Sequence, residues 1–259
     1  MKKIITVFLH ITCICLQALT FYPITDTEFS AILDLESIAE YDFEIVEITT
    51  VRNRHGIETT EIWKGIRITE LIRRWTHLRN WDYEFIAEDN YFVRLNIEQI
   101  ANFNPIIALE RNSVPIPEGQ WRLVSQNMPA MLWVSNISEI HERPVVLFQE
   151  PERVFQLQSV LSHVRLHSNP HPFEGKSGYR FSDIISIINN TTPSHVRLLS
   201  TDKVEQILPY DKYLQNAYLI VNVDEDEITT YSIQSVDMPY GMWQKFLLQI
   251  QTNEAIIDF

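Results

Sequence analysis

The amino-acid sequence predicts an α+β protein: two tandem copies of one mixed α/β unit, behind an N-terminal export signal. Three observations predict it. One block of residues returns at a constant spacing, short β-branched segments outnumber helical ones, and the first twenty residues have the pattern of a leader rather than of a fold. The expected organisation is a signal at 1–20, copy 1 at 21–150 and a divergent copy 2 at 151–259.

The leader comes first. Lys2 and Lys3 precede an apolar run from Ile4 to Leu19, broken by His10, Thr12 and Gln17, and Ala18-Leu19-Thr20 offers a cleavage site before Phe21. The run is shorter than the roughly 20 residues that span a bilayer, so a cleaved signal is favoured over a retained anchor. Cys13 and Cys15 lie inside it without the small residues that would lead into a lipid-attachment site. Cleavage would remove both, leaving no disulfide, no thiolate nucleophile and no thiolate metal ligand. The formal charge of −13 would become −15 with the loss of two lysines and no acid. So acidic a chain is a poor partner for nucleic acid or an anionic membrane. No later stretch is long and apolar enough to span a membrane. The expected location is periplasmic or secreted. With 45% hydrophobic residues and six tryptophans, the chain can build real cores.

The repeat is read by setting residue 51 over residue 164, an offset of 113. Gly65-Ile66-Arg67-Ile68-Thr69-Glu70-Leu71-Ile72 then lies over Gly178-Tyr179-Arg180-Phe181-Ser182-Asp183-Ile184-Ile185. Tyr83 to Asp89 lies over Val196 to Asp202. After a short deletion the offset is 110, and Met128-Pro129-Ala130-Met131-Leu132-Trp133 meets Met238-Pro239-Tyr240-Gly241-Met242-Trp243. The seam is expected near 145–155.

Each copy predicts the same elements in order. A strand with alternating apolar residues covers about 43–52 and 157–167. A loop closes on Gly65 or Gly178, and a short helix follows with Thr69 or Ser182 as N-cap and an acid in its first turn. The helix ends near Trp75 and Ile188. Two strands turn at Asp89 or Asp202 and lead to a short acidic helix around Glu98 or Asp211. A hairpin reaches the Met-Pro-x-x-x-Trp turn, and a closing strand follows at 133–141 or 243–250. Residues 25–41 are expected to pair with copy 1 or cover it.

Three stretches of copy 1 carry a family likeness: Trp63-Lys64-Gly65 with its following apolar helix, Glu88-Asp89-Asn90-Tyr91, and Gly119-Gln120-Trp121-Arg122-Leu123-Val124 followed by Trp133 and Ile137. In these the chain resembles the molybdopterin-binding domain of sulfite-oxidase-like oxidoreductases over about 25–142, and more faintly through the repeat in copy 2. The resemblance implies that fold, a molybdopterin cofactor and a cysteine thiolate on molybdenum from the loop upstream of Trp-x-Gly. Here that loop reads Arg52-Asn53-Arg54-His55-Gly56-Ile57-Glu58, and in copy 2 Arg165-Leu166-His167-Ser168-Asn169-Pro170-His171, with no cysteine in either. The family's thiolate-ligated chemistry does not carry over.

Arg52, Arg54 and His55 form a basic cluster where that pocket would open, suited to an anion gripped by guanidinium forks. Pairing with Glu47, Glu58 or Glu61 at the surface is the competing reading. Trp63, Arg122 and Trp133 are placed near the same rim by the likeness, against the ordinary alternative that the tryptophans are core. In copy 2 the corresponding candidates are Arg165, His167 and His171. His163, His167 and His171 recur every four residues, but on a strand such steps lie about 13 Å apart, too far for one metal, so only a turn at Asn169-Pro170 would pair two of them. Asp224-Glu225-Asp226-Glu227 lacks the ligand spacing of a calcium loop and reads as a hairpin tip. Hydrolase, phosphate-loop, zinc-protease and Cys-x-x-Cys motifs are absent from the sequence. The resulting expectation is a non-catalytic exported protein with no cofactor, binding a small anionic ligand or a protein partner. The alternative is a molybdopterin-dependent oxidoreductase without cysteine ligation. A scaffold role is the third.

Overall fold

The computed structural model describes residues 18–24, 30–54, 57–75, 81–151, 153–224 and 227–259. It is a mixed α/β protein, mostly strand, with four sheets. The first half contains β1 (Leu19–Tyr22), β2 (Ala31–Leu33), α1 (Leu35–Glu40), β3 (Ile45–Arg54), β4 (Ile57–Arg67), α2 (Ile68–Trp75), β5 (Asp82–Ala87), β6 (Phe92–Asn96), α3 (Ile97–Phe103), β7 (Ile106–Arg111), β8 (Val114–Pro115), β9 (Arg122–Val124), β10 (Val134–Ser135) and β11 (Ile137–Arg143). The second contains β12 (Arg153–Gln156), α4 (Leu157–Leu161), β13 (Leu166–Ser168), β14 (Ser177–Arg180), α5 (Phe181–Ile188), β15 (His195–Ser200), β16 (Glu205–Pro209), β17 (Tyr218–Val223), β18 (Thr229–Gln234), β19 (Leu247–Gln251) and β20 (Ala255–Asp258).

Each half has two sheets. In the first half they run β2-β1-β11-β5-β6 and β10-β9-β7-β4-β3, with β8 paired to β7. In the second they run β12-β20-β19-β15-β16 and β13-β14-β17-β18. Several bounds recur at the 113 spacing: α2 and α5, β5 and β15, and β6 and β16 begin and end at matched residues. The helices explain why. Ile68, Leu71 and Ile72 of α2 are buried, and Phe181, Ile184, Ile185 and Ile188 of α5 repeat the same i, i+3, i+4 stripe. The β5–β6 and β15–β16 turns match as well. Asn90 and Lys203 are left-handed, both at φ 65°, and Asp89 and Asp202 accept the backbone N–H two residues on, from Tyr91 and Val204.

Several expectations are corrected. The strand predicted at 157–167 is helix α4 over Leu157–Leu161, because Leu157, Val160 and Leu161 bury one helical face, and only its end falls in strand, β13. The loop predicted before Gly65 is largely strand: β3 and β4 form a ten-pair antiparallel ladder from Ile45↔Ile66 to Arg54↔Ile57. Thr69 and Ser182 lie one residue inside α2 and α5, so neither is the cap. The acidic helix exists as α3, where Asn96 and Gln99 bond reciprocally to each other's backbone N–H at 2.8 and 2.9 Å. Its counterpart is only a wide turn at Tyr210–Leu214. Pro209 stands where Asn96 does and can neither cap nor donate.

The expected cleavage point before Phe21 falls inside β1. Leu19 is 1% exposed and pairs with Leu33, while Thr20 pairs with Glu139 of β11. The rest of the expected signal, residues 1–17, lies outside the described residues.

The halves interlock through their matched turns. Val204 packs into the core of the first half, and Tyr91 and Phe92 pack into that of the second. The rings of Phe92 and Tyr213 stand 5.5 Å apart. The Tyr91 ring lies on Gly241, where a Cβ would meet it at 3.2 Å. Its hydroxyl donates to the Met131 carbonyl, and burial, then Asp89, push its pKa up to about 12. The segment 144–151 is strapped to both halves. Arg94 Nη2 donates to the Pro144 carbonyl at 2.5 Å and Gln251 Nε2 to that of Gln149 at 3.4 Å.

Candidate functional site

The turn between β9 and β10 places Trp133 beside the sheet that carries β3 and β4. Its indole Nε1–H donates to the Met128 carbonyl at 3.2 Å, which fixes the ring. Trp63, fully buried on β4, meets it edge-on with centroids 6.0 Å apart, and anchors its own Nε1–H on Thr50 Oγ1 at 3.0 Å. The Arg52 guanidinium lies 3.8 Å from the Trp133 ring centroid, an attractive cation–π distance. Arg52, Arg122, Ala130, Trp133 and Ser135 line a small cavity of about 130 Å³. Burial, then the neighbouring Arg111, pull the Arg122 pKa below its ordinary value, and Glu61 opposes them. Arg111 itself pairs with the buried Glu61, whose Oε2 has no hydrogen-bond partner. A guanidinium destabilised by a like charge is one that an incoming anion would relieve.

At the matched turn of the second half, Trp243 replaces Trp133 and donates its Nε1–H to the Ser235 carbonyl at 3.0 Å. The cation over it is Lys176, with Nζ 5.6 Å from the ring centroid. Lys176, Lys245, Asp224, Gln234, Tyr240 and Phe246 are among the residues that line, with Trp243, a cavity of about 380 Å³. Lys176 Nζ donates to Gln234 Oε1 at 2.8 Å, and Lys245 Nζ sits 5.5 Å from the Tyr240 centroid.

Of the residues singled out from sequence, Arg52, Trp63, Arg122 and Trp133 come together. The side chain of Arg54 and the whole of His55 lie outside the described residues. In the second half the expected set does not form the pocket. Arg165 is exposed on the turn before β13, the His167 ring packs edge-on against Tyr218 at 6.0 Å, and His171 is exposed on a turn joined to Pro172 by a cis peptide. His163 bonds locally to Ser159 O at 3.0 Å. The loop between β13 and β14 reaches Trp243 through other residues: the Phe173 ring packs edge-on against the indole at 5.5 Å and Lys176 lies over it. The residues missed were Lys176, Gln234 and Lys245. Lys176 occupies the position of Trp63 at the 113 spacing, so the repeat held the signal but the change of chemistry hid it.

A larger cavity of about 760 Å³ lies between the halves, lined among others by Glu84, Arg94, His141, Arg143, His195 and Lys212. Its charges are mostly spent internally. Glu84 takes Arg94 at 3.5 Å and Arg143 at 2.7 Å, Asp82 takes Arg94 at 2.8 Å, and Glu139 takes His141 at 2.6 Å. Burial, then Arg94, pull the His195 pKa below its ordinary value, against Glu84 and Asp211.

A molybdopterin does not fit the first pocket. Small-molecule and cofactor sites run to about 300–1,000 Å³, well above the 130 Å³ here, and the face of Trp133 is covered by Arg52. The second pocket has room, but residues 18–259 contain no cysteine to supply the expected thiolate. The chain matches no protein-family model, and no curated protein is similar to it.

Proposed function

We propose that this chain is an exported, non-catalytic binding protein. On this reading it is a tandem duplication of a sulfite-oxidase-like unit, and each unit holds a small anion beside the tryptophan of its Met-Pro-x-x-x-Trp turn. One observation carries the reading: a cation faces the indole at both matched turns, Arg52 over Trp133 at 3.8 Å and Lys176 over Trp243 at 5.6 Å. The coincident bounds of α2 with α5 and β5 with β15 support the duplication. Arginine at the first site favours a compact oxyanion, because its fork matches sulfate or phosphate oxygens.

The test is calorimetric titration of the purified chain with sulfate and with phosphate, alongside molybdenum and pterin analysis of protein made in a host that synthesises the cofactor. Saturable binding that falls about tenfold, or 1.4 kcal/mol, in Arg122→Ala is expected. Stoichiometric pterin or molybdenum would replace the proposal with the oxidoreductase alternative. Export is tested by mass spectrometry of the mature N-terminus. The burial of Leu19 favours a cut upstream of it rather than before Phe21.

A further inference from the structure

The pocket of the second half is built for a different occupant from that of the first. We propose that it binds an acidic sugar: a saccharide ring packed on Tyr240 and Phe246, with its carboxylate on Lys176 and Lys245. This rests on the reading of the tryptophan turns as anion sites and names the ligand class of one of them.

Size separates the two pockets first. About 130 Å³ beside Trp133 holds a bare oxyanion, whereas about 380 Å³ beside Trp243 holds a ring with its substituents. Charge type separates them next. Arg52 and Arg122 are planar forks, while Lys176 and Lys245 are point charges that suit a single acid group of any orientation; they outnumber the one carboxylate among the described lining residues, Asp224, which accepts the Ile228 N–H at 2.8 Å.

The rim supplies the third difference. Tyr240 is 68% exposed and Phe246 56% exposed, where the first half has Ala130 and Asn136. Exposed aromatic faces beside fixed amides suit a molecule with apolar C–H faces and a polar edge. Those amides are Gln234 and Asn222, fixed on the buried Ser232 hydroxyl, with Gln234 Nε2 donating to Ser232 Oγ at 3.0 Å and Asn222 Nδ2 donating to it at 3.2 Å. The same Gln234 holds Lys176 at 2.8 Å, so the cation is positioned before any ligand arrives. Thr230 and Asn222, paired across β17 and β18, line the same cavity and add polar side chains to it.

Backbone strain marks the same rim. Phe246 is left-handed at φ 52°, and its counterpart Asn136 is left-handed at φ 51°. Asparagine adopts that conformation readily and phenylalanine does not. A phenyl ring kept there against backbone preference is an outlier of the kind that accompanies binding sites. A bare oxyanion would not use the aromatic rim, and a neutral apolar ligand would not use two lysines.

The experiment titrates the whole chain by calorimetry with glucuronate, glucose, benzoate and sulfate. Glucuronate is expected to bind saturably and glucose at least about tenfold more weakly. Tyr240→Ala and Lys245→Ala, both exposed, are expected to weaken glucuronate about tenfold with unchanged Tm. Phe246→Asn is expected to raise Tm while weakening glucuronate, a pairing that a merely structural role would not give. Absence of glucuronate binding overturns the proposal, as does benzoate binding as tightly as glucuronate, or Phe246→Asn leaving affinity unchanged. Sulfate lost in Arg122→Ala but kept in Tyr240→Ala reports on the first pocket alone, so the two readings fail separately.

Discussion

In the first half, the strand between β2 and β11 is β1, which comes from upstream and runs parallel to β11, with Phe21 opposite Ile140. In the second half the matched position between β12 and β19 is taken by β20, which comes from downstream and runs antiparallel to β19, with Ile257 opposite Ile250. The outer strands keep one orientation in both halves, since β2 is antiparallel to β1 while β12 is parallel to β20. Only the middle strand is reversed. Its burial is not: Leu19 and Phe21 face the core in one half, Ala255 and Ile257 in the other. A strand's two-residue alternation survives reversal, so the sheet selects an apolar stripe of the right length and tolerates either direction.

The largest effects expected from testing this comparison come from emptying the stripe. Phe21→Ala should cost about 3–5 kcal/mol and Ile257→Ala about 2–4 kcal/mol in urea unfolding. Each should act first on its own half, followed through the near-by tryptophans. Equal loss in both halves from either variant would mean that the interlocked turns make one cooperative unit.

The matched glycines give the next contrast. A Cβ on Gly65 would lie 2.0 Å from the Ile107 carbonyl oxygen, a backbone atom that cannot step aside. On Gly178 the nearest atom is Ile220 Cδ1 at 2.8 Å, the far end of a side chain, and the nearest backbone atom, the Leu219 carbonyl oxygen, stands at 3.0 Å. Gly65→Ala should therefore cost about 3 kcal/mol and Gly178→Ala about 1 kcal/mol. The reverse order would show that the first half's close strand approach is adjustable.

The smallest effect lies between the halves. His195 has a folded pKa below its ordinary 6.5, so above that pH it is neutral whether folded or not and contributes no slope. Below it the unfolded chain takes up a proton that the folded one resists, and stability falls with pH. Arg94 drives this after burial, while Glu84 and Asp211 oppose it. His195→Gln should flatten the slope of stability between pH 7 and 5; an unchanged slope would place the titrating group elsewhere.

What could be read in advance follows from the same comparison. The helices α2 and α5 and the strands β5, β6, β15 and β16 were legible because their stripes recur at fixed spacing and are satisfied locally. Strand β1 was not, since Leu19-Thr20-Phe21-Tyr22 continues the apolar run that reads as a leader. Its partner β11 lies more than a hundred residues away, and no local pattern announces it. Strand β20 is short and its ladder with β12 is equally remote. Half of the first pocket was legible through Arg52, Arg122 and the tryptophans. The second pocket was not, because Trp63 gives way to Lys176 and Arg122 to Ser232, which keeps the place and changes the chemistry.

The reversed middle strand also sets a timetable. A chain emerging from its N-terminal end has every strand of the β2-β1-β11-β5-β6 sheet available once Arg143 appears. The second half must wait for Ala255 to Asp258, because without β20 nothing joins β12 to β19. Through that interval β12 is a lone strand, and β15 keeps an open edge until β19 arrives just ahead of β20, the kind of surface on which another chain can pair. During synthesis, then, it is the second half that would need shielding.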